Sequence, residues 1–149
     1  MDELDFSVQG SDNRKQYYEI WQRYKSGVKL DGEENVIAEL MALHKDFYQY
    51  WDSSDFNKKY YQPGKNESPE NEFSPFAHIA FDTIVMNQIN DNNPPQAKLT
   101  YNNLTMHGDS HLEAIHKIAN IFLQEYWEVM KHHKVFNDKR YIDKLKRLK

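Results

Sequence analysis

Residues 111–133 read "HLEAIHKIANIFLQEYWEVMKHH". Leu112, Ile115, Ala119, Phe122, Leu123 and Tyr126 recur every three or four places, which puts them on one side of a helix. Gly108 breaks the chain ahead of this run, and Asp109 or Ser110 can cap it. The spacing predicts a long helix over about 110–133.

The same test, moved outward, finds helices elsewhere. Toward the N-terminus, "NDNNPP" at 90–95 is a turn and stop, after which Pro94 or Pro95 opens a short helix through Leu104 and Met106. Before it, "SPF" sets Ser74 as N-cap and Pro75 at the first helical position of a helix running to about Asn90. A further helix starts near Asp31, with the stripe Ile37, Leu40, Met41, His44, Phe47, Tyr48 and Trp51. The first helix covers residues 12–25, with Tyr17, Ile20, Trp21 and Tyr24 on one side and Gly27 at its end. Toward the C-terminus, residues 138–148 carry Tyr141, Leu145 and Leu148 among Lys and Arg, a basic helix. No segment alternates with period two. The expected fold is all-α, a single-domain bundle of five or six helices over residues 1–149.

Residues 52–74 break the pattern. They are rich in Ser, Asn, Pro and Gly, long for a loop in a compact domain, with Phe56, Tyr60 and Tyr61 able to pin them to the body. The 149 residues include 14% aromatics, and mean hydropathy is −0.93. No apolar run approaches the roughly 18 residues of a bilayer span. With no cysteine, disulfides, thiol nucleophiles and cysteine metal sites are excluded. The acidic start "MDELDFSVQG" lacks the apolar core of a signal peptide, so the expected compartment is the cytoplasm. The net charge of −4 divides unevenly, +6 from Lys131 onward and −10 before it. A nucleic-acid surface is disfavoured, because most of the chain would repel phosphate.

Seven histidines are present, and they are not equivalent. His132 and His133 suit a helix C-terminus, where positive charge is favoured. His107 falls at a turn. His44, His78 and His116 each interrupt the apolar stripe of a different helix, and Asp82 follows His78 by one turn. A buried polar residue must find a partner. One outcome is a structural polar network. The other is a shared divalent metal on His44, His78, Asp82 and His116, with Glu113, three residues before His116, as a neighbouring base. Three histidines suit zinc; His78 and His116 with the Asp82 carboxylate suit non-haem ferrous iron. A second Glu-x-x-His is missing, which argues against a di-iron bundle.

The order of these landmarks resembles the bacterial family catalogued as domain of unknown function 1841. The resemblance rests on "YYEIWQRYKSG" at 17–27, "IAEL" at 37–40 leading to "HKDF" at 44–47, and "SPFAH" at 74–78. It continues through "NQINDNNPP" at 87–95, "HLEAIH" at 111–116, Trp127 with Glu128, and "YIDKL" at 141–145. The family pattern implied by this resemblance has Pro where Lys45 stands, His at Asp82 and Glu at Gln124. His to Asp keeps a metal ligand, whereas Gln124 would remove an acid/base group. The resemblance implies a helical protein and no particular activity. Two readings follow: a metal-binding helical protein, or a non-catalytic module with a structural polar core whose long loop and basic tail contact a protein partner.

Overall fold

The computed structural model describes residues 11–56 and 75–148. Among them are seven α-helices, one 3-10 turn and no strand, so the fold is all-α with more helices than the five or six expected. In chain order the helices are α1 (Ser11–Lys25), α2 (Gly32–Leu43), α3 (Tyr48–Trp51), α4 (Pro75–Asp91), α5 (Pro95–Met106), α6 (His111–His132) and α7 (Asp138–Arg147), and the 3-10 turn is Lys45–Phe47. Ser74, Tyr60, Tyr61 and most of the expected loop lie outside the described residues. None of the described helices is long and apolar enough to cross a membrane.

The chain divides into two compact units, Met1–Thr83 and Ile84–Lys149. In the first, α1, α2 and α3 pack on one another. Ile20, Trp21, Ile37, Leu40, Met41, Trp51, Phe76, Ile79 and Phe81 are buried. The indoles are tied as well as packed: Trp21 donates to Asp52 at 2.8 Å and Trp51 to the Met41 carbonyl at 3.0 Å. Such ties keep a large aromatic core polar-satisfied. Phe56 does meet the body, edge-on to Tyr18 at 5.6 Å, with its carbonyl accepting from Arg14 at 3.1 Å.

The extra helix comes from a break. The stripe from Ile37 to Trp51 reads as one helix, but α2 ends at His44, whose backbone (φ −88°, ψ 71°) leaves helical space. The 3-10 turn carries the chain into α3. The apolar spacing survives because a tighter turn keeps Phe47 and Trp51 facing the core side. The expected cap Asp31 precedes α2 but makes no side-chain capping bond.

In the second unit α5, α6 and α7 pack pairwise. Ile115, Ala119, Phe122 and Leu123 of α6 are buried, as the spacing predicts, while Leu112 and Tyr126 are half-buried; Ile118, Leu104, Tyr141 and Leu145 are buried as well. Gly108, at φ 109°, turns the chain between α5 and α6, a conformation in which a Cβ would be strained. The α6 N-terminus carries a capping box: Ser110 accepts from the Glu113 N–H at 3.1 Å, and the Glu113 carboxylate accepts from the Ser110 N–H at 3.4 Å. At the start of α7, Asn137 caps by accepting from Arg140 N–H at 2.9 Å.

Candidate metal centre

The break at His44 is what aims its ring. At the end of α2 the last carbonyls lack helical partners. The His44 backbone N–H reaches Leu40 O at 3.3 Å and Met41 O at 3.2 Å, and ring Nδ1 reaches Leu40 O at 2.7 Å. A carbonyl can only accept, so Nδ1 carries the proton. The Phe47 ring lies parallel to the imidazole, with centroids 5.6 Å apart, and holds it flat against the turn.

The opposite edge of the ring faces a carboxylate. His44 Nε2 is 3.2 Å from Asp82 Oδ2, and the two residues are 7% and 2% exposed. Asp82 is presented by α4, among buried Ile79, Phe81 and Thr83, and the Thr83 hydroxyl is bonded back to Ile79 O at 2.7 Å. With Nδ1 protonated, a neutral ring would point the Nε2 lone pair at a carboxylate. Something positive must stand there, either a proton, making an ion pair, or a metal cation. Burial works against charge on the imidazole. The hydrogen bond His44 donates to Asp82, the bond to Leu40 O and the Asp82 charge outweigh it, so the His44 pKa is raised above its ordinary 6.5.

The other sequence candidates are placed as follows. His78 is half-buried on α4, one turn before Asp82. His116 belongs to the second unit, half-buried on α6. Glu113 is exposed, and its carboxylate is engaged in the α6 cap. Its spacing from Ser110 is the capping-box signature, the signal that identifies its role. Asn120 and Gln124 are exposed, and Gln124 accepts from Lys144 at 3.3 Å. The buried polar residue of that stretch is Glu125, 1% exposed, which Arg140 binds through Nε at 2.9 and 2.8 Å and Lys144 through Nζ at 2.9 Å. Its position one turn after Ile121 was the available sign.

A family model described as a domain of unknown function, DUF1841, matches residues 9–147. The chain belongs to that family. No curated protein and no solved structure matches it. In this DUF1841 chain the "HKDF" landmark is the helix break that turns the His44 ring, and "PFAH" at 75–78 opens the helix that presents Asp82.

Proposed function

We propose that this DUF1841 chain is a metal-binding helical protein of the bacterial cytoplasm, holding one divalent cation, zinc or ferrous iron. The ligands are His44 Nε2 and the Asp82 carboxylate, with His78, one turn before Asp82 on the same helix, as the donor for a further position. One observation carries the proposal: His44 Nδ1 donates to a backbone carbonyl while Nε2 is turned onto a buried carboxylate. A metal-binding histidine usually donates its other N–H in this way, which fixes the tautomer and raises ligand basicity. The spacing is also suitable. Ligand atoms about 2.0–2.2 Å from a tetrahedral ion stand roughly 3.4 Å apart, near the 3.2 Å between His44 Nε2 and Asp82 Oδ2. Two imidazoles and one carboxylate leave positions open for water or a small ligand.

Metal content of protein purified without a histidine tag tests this directly. The expected result is stoichiometric zinc or iron, lost in Asp82→Asn, with a metal-dependent rise in melting temperature that the variant lacks. Metal-free protein whose melting is indifferent to zinc, ferrous iron and manganese near neutral pH would refute it.

A second reading has its own support. Both edges of His44 are met by protein groups, so a protonated His44 with Asp82 can stand as a structural ion pair in a non-catalytic interaction module.

A further inference from the structure

The connection between α6 and α7 has no part in the metal proposal. Residues 133–137 are neither helix nor strand. His133 takes a left-handed backbone, φ 54° and ψ 35°, and turns the chain out of α6. Phe136 anchors the segment, its ring 5.1 Å from Phe122 and 5.9 Å from Tyr141. Val135 beside it is 92% exposed, the most exposed large apolar side chain among the described residues. The backbone of Lys134, Val135 and Phe136 makes no hydrogen bond to other backbone among the described residues. These peptide groups are open to a partner strand.

Cations surround this exposed valine in sequence. Lys131, His132, His133, Lys134 and Lys139 are all exposed. Lys134 has Glu128 at 3.8 Å, while Lys139 makes no ion pair among the described residues. The charge from Lys131 onward is +6, against −10 in the rest of the chain.

We propose that residues 131–139 dock an acidic, extended segment of a partner protein. Its carboxylates meet Lys131, Lys134 and Lys139, and an apolar side chain covers Val135. Single-stranded nucleic acid fits less well. Binding it needs exposed rings on which bases stack. Here Phe136 is packed on Phe122 and Tyr141, and Trp127 is half-buried with its ring N–H out of reach of solvent. The acidic remainder of the chain also repels a long phosphate backbone, whereas a short peptide senses mainly the local positive field.

The probe is a short fluorescein-labelled peptide of alternating glutamate and valine, followed by anisotropy against the full chain, with a lysine–valine peptide and an oligothymidylate as comparisons. The glutamate–valine peptide should bind, and binding should weaken with salt. Lys134→Glu combined with Lys139→Glu, and separately Val135→Asp, should each weaken it about tenfold. Lys139→Glu alone should weaken it less, in a protein whose melting temperature is unchanged because the side chain is exposed and has no ion pair among the described residues. Three results would overturn the proposal: no binding at low salt, equal binding by Val135→Asp and wild type, or tighter binding of the oligothymidylate than of the peptide.

Discussion

At position 44 the two edges of one imidazole serve different neighbours, and that division makes its occupant testable. Without metal, the proton on Nε2 makes the ion pair, and the native pKa is raised above the unfolded 6.5. A raised native pKa means that the pair's contribution is complete below pH 6.5 and is lost as pH climbs through the native value. With metal on Nε2 the ring must be neutral, so stabilisation by metal grows over the same range. Urea midpoints of wild type and Asp82→Asn check this. In chelated protein the gap between them should be about 1–3 kcal/mol on the acid side of neutrality and should narrow as pH rises. In metal-loaded protein it should widen. A gap that narrows in both states would leave the proton as the occupant. The residue types of this site were legible in the sequence, since His44 and Asp82 interrupt apolar stripes. The tautomer was not, because it depends on a backbone angle at the end of α2 and on a carbonyl, and neither has a sequence signature.

Helix ends decide more here than helix interiors. Ser110→Ala removes the hydroxyl that caps α6 and should cost about 1 kcal/mol, measured by chemical denaturation. Glu113→Ala should cost less, since its reciprocal bond is the longer one at 3.4 Å. If Glu113→Ala instead left stability intact and abolished a metal-dependent activity, the expected role as a base would return. Glu125 belongs to this scale too, because it joins α6 to α7. Burial opposes its ionisation, but the bonds and charges of Arg140 and Lys144 outweigh burial and hold its carboxyl below the ordinary 4.5. A lowered native pKa contributes stability that is present above pH 4.5 and lost as pH falls through the native value. Glu125→Gln should therefore destabilise by about 1–3 kcal/mol near neutrality, discounted for the part-exposed cations, and by less below pH 4.5. Equal destabilisation at both ends of that range would mean that packing, not charge, is what the substitution disturbs. Helical period located α1, α4, α5, α6 and α7 within a residue or two, because their apolar faces are continuous and their ends carry Gly, Pro or Ser signals. It failed between α2 and α3, where a 3-10 turn preserves the apolar spacing while breaking the helix axis, so periodicity alone cannot register the change.

For the molecule as a whole the sign of the net charge is a poor guide to its behaviour. The chain carries −4 overall, yet its stretch from Lys131 onward carries +6. A uniformly charged particle of this kind repels its copies, and added salt weakens that repulsion. A particle with a concentrated opposite patch does the reverse at low ionic strength: patch and remainder attract between copies, and salt screens the attraction once the Debye length falls to about 10 Å, near 0.1 M. The second virial coefficient from static light scattering should thus start low or negative and rise with the first additions of sodium chloride. Lys134→Glu with Lys139→Glu should flatten that rise. A coefficient that falls steadily with salt in the wild type would show that the patch is too diffuse to act. The basic stretch from Lys131 onward therefore makes this chain a patchy colloid, one to be kept in moderate salt when it is concentrated.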